Sequence, residues 1–242
     1  MAFKINYPTY ELNLPSTDEV VKYRPFLVKE EKLLLIAQQS KDTKTIVETM
    51  KNVIQNCIVS KLDISSLPMF DIEYLLLHIR ARSVGETAEL NVICPDDNET
   101  YVPISVDLLN INVEMPEGHS NKIKLTDTAE LYMTYPAFDL YDDFLGKLKE
   151  DKEKKGAGVV DNLFKLFGNS IYQIVDGEDV YDGKDLSDKE KVDFIESLTQ
   201  KQFADVRNFF NTMPRLQHKV EVENPKTKVK SEVVLEGVQS FF

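Results

Sequence analysis

The stretch LPMFDIEYLLLHIRARSVGE, residues Leu67–Glu86, carries the best-marked helix of the chain. Acidic residues stand near its start, two arginines stand near its end, and Gly85 follows, as the helix dipole and the usual stop signals favour. Apolar residues at helical spacing after Pro68 predict one buried face. That face comprises Ile72, Leu75, Leu76 and Ile79. The charges of this segment therefore have a sufficient structural explanation.

Upstream of this helix, the sequence predicts a β-hairpin and then two further helices. Thr9–Leu14 and Val20–Phe26 alternate in side-chain character across a turn-forming PSTDE segment. Val28–Gln39 is rich in Leu, Ile, Glu and Lys, which favours a helix. The second helix has a predicted cap at Asp42 and one apolar face. The members of that face are Ile46, Met50, Val53, Ile54 and Cys57.

Downstream of Gly85, the apolar period changes from helical to alternating. ETAELNVIC and TYVPISVDL flank the turn-forming PDDNE, which predicts a second hairpin. The segment 121–136 repeats the alternation, and the residues on both sides of NPKTK predict a last hairpin. The expected fold class is α+β, with antiparallel hairpins combined with amphipathic helices and arranged in two lobes.

The boundary between the lobes is predicted in the charged, glycine-ended stretch Lys149–Gly158. The first lobe, residues 1–148, is α+β, and the second, residues 156–242, is helical and ends in a β-hairpin. Two capping-box patterns mark helices of the second lobe, Ser187 with Glu190 and Thr199 with Gln202. We expect the boundary stretch to be a surface connection that proteases cut first.

Composition limits the classes of partner and the location. The 242-residue chain has 29 Lys and Arg against 41 Asp and Glu, a formal net charge of -12. A field of this sign repels phosphates and anionic lipid, so neither nucleic acid nor membrane is expected as a partner. The sequence has no apolar run of roughly 18 residues and begins without the apolar core of a signal peptide. We therefore expect the protein to stay in the cytosol.

The histidines and cysteines do not form a chemical site by their spacing. They are His78, His119, His218, Cys57 and Cys94. No histidine has another histidine or a cysteine three or four residues away, which excludes a local metal helix. Two cysteines are too few for a disulfide framework, and we expect both to be reduced and inert.

Two other stretches suggest metals and fail on inspection. Asp176–Asp188 is crowded with aspartates, but with Gly183 at the sixth position of a calcium loop the twelfth position is a lysine. Cys94 begins the turn CPDDNE without the second cysteine of a zinc knuckle. The nucleophile and phosphate-loop signatures are also absent from the sequence. We expect no catalytic residue, cofactor or metal.

The chain ends with SEVVLEGVQSFF, Ser231–Phe242, and two terminal phenylalanines should be covered by something. One alternative is that Val238, Phe241 and Phe242 fold back on the protein's own core, against helices rich in aromatic residues. Those helices carry Phe203, Phe209 and Phe210. The other alternative is that the three terminal residues bind a partner and dock into it as aromatic anchors.

Four stretches together resemble the baseplate hub assembly proteins of T4-like bacteriophages. They are YRPFLVKEEKLLLIA (Tyr23–Ala37), the opening stretch Leu67–Glu86, MPRLQH (Met213–His218) and the ending LEGVQSFF (Leu235–Phe242). The resemblance covers almost the whole chain, and its specificity lies in the order and combination of the stretches. It implies that some relatives carry paired cysteines in the last hairpin. This chain has Asn224, Pro225 and Lys226 there and no cysteine, so we expect no zinc at this place.

The resemblance implies a non-enzymatic role in building the central hub of the tail baseplate, as a hub subunit or as an assembly chaperone. It implies other phage tail and baseplate hub proteins as partners, the host cytoplasm as the place of assembly, and the virion tail baseplate as a final location. Two alternatives stay open at this point. One is a cytosolic acidic protein-binding adaptor unrelated to phage, and the other is a carboxylate-based cell-wall hydrolase.

Overall fold

The structure is a computed structural model that describes residues 6–40, 43–140 and 158–241. Its helices and small antiparallel sheets confirm the α+β fold class predicted from the sequence. The chain divides into two compact units. Unit 1 comprises Met1–Ile64, Phe70–Glu114 and Arg215–Phe242, and unit 2 comprises Ser65–Met69 and Met115–Pro214.

The elements of the first half follow the predicted order, with the addition of the unpredicted strand β5 (Asn112–Glu114). They are β1 (Tyr10–Asn13), β2 (Val20–Tyr23), α1 (Val28–Ser40), α2 (Thr43–Cys57), α3 (Met69–Val84), β3 (Thr87–Ile93), β4 (Tyr101–Asp107) and β5 (Asn112–Glu114). The first hairpin pairs Tyr10 with Tyr23, and the second pairs Thr87 with Asp107. The cap predicted at Asp42 lies outside the described residues.

The second half contains one larger sheet, three helices and the last hairpin. Its elements are β6 (Lys122–Lys124), β7 (Ala129–Met133), α4 (Val159–Asn169), β8 (Ile171–Asp176), β9 (Asp179–Asp182), α5 (Asp188–Ser197), α6 (Gln200–Asn211), β10 (Arg215–Glu223) and β11 (Lys230–Glu236). A 3-10 turn, Val238–Phe241, follows β11.

All strand pairs named here are antiparallel. In unit 1, β1 pairs with β2, β3 pairs with β4, and a three-stranded sheet has the order β11-β10-β5. In unit 2, one four-stranded sheet has the order β6-β7-β8-β9. The β10–β5 pairing joins strands that are about 100 residues apart in the chain, with Leu216 opposite Val113.

Helix α3 is the central helix of unit 1. The predicted apolar face is buried, with Ile72, Leu75 and Ile79 fully inaccessible to solvent. More of the helix surface is buried than the sequence predicts, because residues outside this face, such as Asp71, Leu77 and His78, are buried as well. A helix that is covered on most of its circumference must satisfy its polar side chains from neighbouring elements.

Unit 2 is built around an aromatic core. Both predicted capping boxes are present, with the Ser187 hydroxyl accepting from the Glu190 N–H and the Thr199 hydroxyl accepting from the Gln202 N–H. Helices α5 and α6 therefore begin where the sequence predicts. Their aromatic side chains pack with sheet residues around a buried cluster. That cluster comprises Ile123, Leu131, Met133, Phe167, Ile171, Ile174, Ile195, Val206 and Phe209.

The two units interleave along the chain, whereas the sequence predicts the consecutive lobes 1–148 and 156–242. Sheet pairing explains the interleaving, since β10 pairs with β5 and β8 pairs with β7. The last hairpin accordingly groups with the N-terminal elements in unit 1. The predicted connection Lys149–Gly158 lies outside the described residues apart from Gly158, so its sensitivity to proteases stays a prediction.

Candidate functional site

The start of the C-terminal 3-10 turn is hydrogen-bonded to Leu216 of β10 and to Glu73 of α3. We call this binding position of the tail in unit 1 the seat. Gly237 adopts φ 74°, a left-handed conformation that glycine tolerates, and turns the chain out of β11. Its N–H donates to the Leu216 carbonyl of β10 at 2.9 Å. The next N–H, that of Val238, donates to Oε1 of Glu73 on α3 at 3.3 Å. A turn, a strand and a buried helix thus fix the start of the tail.

The described part of the tail is covered by the chain itself, with Val238 5% exposed and Phe241 0% exposed. Phe242 lies outside the described residues. The expected cover was the group of helices carrying Phe203, Phe209 and Phe210. These three residues belong to the core of unit 2, whereas the tail belongs to unit 1 and meets α3 and β10 through its backbone N–H groups, so cover by those helices stays a prediction. Partner binding by Val238, Phe241 and Phe242 stays a prediction.

Two carboxyl groups of α3, those of the half-buried Glu73 and the buried Asp71, hold other segments in place. Glu73 accepts from the tail, and burial raises its pKa to about 7. Asp71 is fully buried, accepts from both the N–H and the hydroxyl of Ser16 in the β1–β2 turn, and has its pKa raised by burial to about 6. Sequence analysis explained these acids by the helix dipole alone, since nothing in the local pattern marks their distant partners.

The turns of two hairpins in unit 1 are joined through Asp96. Its carboxylate accepts from Asn224 Nδ2 at 3.0 Å and from the Thr227 hydroxyl at 2.5 Å. Asn224 is fully buried, and its Oδ1 accepts from the N–H groups of Lys226 and Thr227. The hydrogen bonds from Thr227 and Asn224 lower the pKa of Asp96. We call the group Asp96, Asn224 and Thr227 the turn clasp.

The turn clasp does not fit a zinc site of thiolates. Cys94 and Asp97 in one turn, and Asn224 and Thr227 in the other, are each three residues apart, but only Cys94 offers a sulfur ligand. Cys94 is fully buried, and burial is the main cause that raises the pKa of its thiol. Hydrogen bonds to Asp96 therefore join the two turns here. Among the described residues, no group of three or more His, Cys, Asp or Glu is placed to hold a metal ion.

The histidine His119 is a structural residue of unit 2. Its Nδ1 lies 2.9 Å from the Thr212 hydroxyl and its Nε2 lies 3.0 Å from the Tyr135 hydroxyl. Its ring stacks on Phe209 with ring centroids 5.2 Å apart. Burial lowers its pKa, which favours the neutral ring. Both nitrogens are engaged, so this histidine has no free position for a metal or a substrate.

The other two histidines do not form an acid–base pair with a neighbour. The His78 ring meets the edge of Tyr74 at 4.4 Å between centroids, and burial lowers the pKa of His78 to about 4. A histidine that is neutral at cytosolic pH and packed in this way serves the core of unit 1. His218 lies on β10 opposite Leu235 of β11.

A cleft of about 360 Å³ opens in unit 1 beside α3. It is lined by Asn13, Leu14, Pro15, Asp18, Tyr74, Asn112 and Val113. Asp18 accepts a hydrogen bond from Asn13, and burial raises the pKa of Tyr74, which disfavours the phenolate. The cleft therefore offers hydrogen-bonding groups without a nucleophile and base in contact.

Comparison with known families identifies the chain. A family model described as T4 bacteriophage base plate protein matches residues 7–242. The chain belongs to this family. Neither the curated proteins nor the solved structures include a significant match. The match of a base plate family over residues 7–242 confirms the resemblance found in the sequence.

The seat and the turn clasp both hold C-terminal parts of the chain, the tail and the turn of the last hairpin. None of the described helices is long and apolar enough to cross a bilayer. A phage base plate protein is the coarse function that these findings support.

Proposed function

We propose that this protein is a non-enzymatic component in the assembly of the central hub of the phage baseplate. It acts either as a hub subunit or as a chaperone that helps the hub to form and then leaves. Its partners are other tail and hub proteins, and it works in the host cytoplasm during assembly; as a subunit it then stays in the tail, and as a chaperone it does not. The observation that carries the proposal is the family match over residues 7–242.

The arrangement of side chains supports a role in binding. Asp71 and Glu73 of α3 hold other segments of the same chain, and His119 is engaged at both nitrogens. These polar groups thus have structural contacts within the chain. Membership in a base plate family also argues against an adaptor that is unrelated to phage.

A subunit and a chaperone make different predictions for the finished particle. Mass spectrometry of purified virions should find the protein in a fixed ratio to known hub proteins if it is a subunit. A chaperone should be found with hub proteins in infected cells and be missing from virions. Particles that assemble normal baseplates when the gene carries an early stop codon would contradict both forms of the proposal.

The aromatic tail offers one way of binding to a hub partner, and it has a structural cost. Phe241 is fully buried in its own chain, so docking of this side chain into a partner would require the 3-10 turn to leave its seat. A variant that weakens the seat should then bind hub proteins more tightly. Weaker binding in such a variant would favour the alternative in which the tail only stabilises unit 1.

A further inference from the structure

Helix α1 exposes an unusual amount of apolar surface. Val28 is 80% exposed, Leu33 is 45% exposed, and Leu35 and Ile36 are each 53% exposed. We call these four side chains the α1 face. Single exposed apolar residues are normal, but four on one helix of 13 residues form a patch of the kind that marks an interaction site.

The four side chains fall on one side of the helix. At about 100° per residue, positions 28, 33, 35 and 36 span an arc of about 160°. The opposite side carries Glu30 and Ala37, which are 1% and 2% exposed. The helix is therefore anchored along one side and leaves the α1 face open to solvent.

Positive charge lies within the same arc. Lys29 and Lys32 fall between the members of the α1 face, and both are exposed. The buried carboxylate of Glu30 already pairs with Arg24 at 3.0 Å, so its ion pair with Lys29 at 3.3 Å leaves an excess of positive charge at this site. Glu31 lies outside the arc.

The wider region has the same sign. Residues 20–63 contain eight Lys or Arg against five Asp or Glu, whereas the whole chain has 29 against 41. A basic, apolar surface on an acidic protein is complementary to an apolar surface that is flanked by carboxylates. The charge of this region thus decides which kind of partner it fits.

We propose that the α1 face binds an acidic amphipathic helix of another protein. The apolar side of that helix packs on Val28, Leu33, Leu35 and Ile36, and its flanking carboxylates pair with Lys29 and Lys32. This docking proposal rests on the proposed function for its biological setting. It adds to that function a docking surface that is separate from the tail.

A second copy of this chain is a poorer occupant. In a closed two-fold dimer, the α1 faces would meet each other and place the lysines of both copies in one interface. Docking of the α1 face on an acidic surface elsewhere on a second copy does not close and leads to open polymers. The charge pattern therefore favours a different chain.

The test uses the full chain and a fluorescent synthetic peptide that forms a helix with leucines on one side and glutamates beside them. We expect the peptide to bind, as measured by fluorescence anisotropy, and to bind more weakly as salt rises. Leu35→Gln should weaken binding about tenfold or more. The matched control Val234→Gln, at a site that is 45% exposed on β11, should leave binding and melting temperature unchanged.

Charge reversal gives the sharpest outcome. The Lys32→Glu variant should no longer bind the acidic peptide. It should instead bind a peptide of the same sequence in which lysines replace the glutamates. Equal binding of both peptides by the original protein, or no binding of either, would overturn the proposal. If the chain binds phosphatidylglycerol vesicles and Leu35→Gln abolishes that binding, the proposal is overturned in favour of a lipid surface. If the chain forms a dimer that Leu35→Gln dissociates, it is overturned in favour of a second copy.

This test separates the docking surface from the function. Peptide binding does not depend on any phage component, so its failure would leave a role in the baseplate hub intact. If the peptide binds but the protein is absent from both virions and hub complexes, the proposed function fails. The docking surface would then stand, but its biological partner would have to be sought elsewhere.

Discussion

Replacing Phe241 with alanine tests whether the tail is part of the fold. The side chain is fully buried in the seat, and removing a buried phenyl group costs the transfer free energy of the ring and leaves a cavity. Such Phe→Ala changes typically lower the free energy of unfolding by about 3–5 kcal/mol. We expect Phe241→Ala to fall within this range.

Urea denaturation followed by far-ultraviolet circular dichroism is a suitable assay, because the chain has no tryptophan to report by fluorescence. With a urea slope of roughly 3 kcal/mol/M for a chain of this size, the midpoint should fall by about 1–1.7 M. Val234→Ala is the control, since this β11 side chain is 45% exposed and should change stability by less than about 0.5 kcal/mol.

An unchanged midpoint in Phe241→Ala would refute the reasoning. Combined with lost binding to a hub protein, it would show that the side chain acts as a partner anchor. Deletion of residues 239–242 extends the test to Phe242. If this truncated protein melts normally and still supports assembly of infectious tails, neither the seat nor the anchor explains the aromatic ending.

Three further changes probe the seat, the clasp and one tight turn. Because the pKa of Glu73 is about 7 when folded and near 4.5 when unfolded, its contribution is full below about pH 4.5 and is lost as pH rises through about 7. Between pH 5 and pH 8, the free energy of unfolding should therefore fall by up to about 3 kcal/mol less in Glu73→Gln than in the original protein, as measured by urea titration at each pH. The same pH profile in both proteins would contradict this. Asp96→Ala should lower the melting temperature more than the milder control Asp96→Asn, because buried Asn224 loses its acceptor; equal melting of both variants would argue against the clasp. Gly183→Ala should lower the melting temperature strongly, since a Cβ would lie 2.0 Å from the Ile171 carbonyl oxygen, and a protein that melts normally would contradict the close approach.

The sequence determined the local elements, because the signals for these elements are themselves local. The alternation on both sides of PDDNE predicts β3 and β4, and the capping boxes at Ser187 and Thr199 predict the starts of α5 and α6, which the structure confirms. Hydrogen bonds between a cap and the residue three positions later need no distant partner.

Only the tertiary structure decided which distant segments meet. The pairing of β10 with β5 places the last hairpin in unit 1, and neighbouring residues give no sign of it. The partners of Glu73 and Asp96 lie more than 100 residues away, at Val238 and in the last turn. Their carboxylates resemble the many solvated acids of the chain until burial raises the pKa of one and hydrogen bonds lower the pKa of the other.

The same division explains the ending of the chain. Apolar alternation and the two last phenylalanines determined that the tail needs a cover, because exposed aromatic surface is costly in water. The choice of cover depended on which surfaces the folded sheets and α3 bring together, and here they form a seat in unit 1 for Val238 and Phe241. A one-dimensional pattern specifies what must be buried, and packing in three dimensions specifies where.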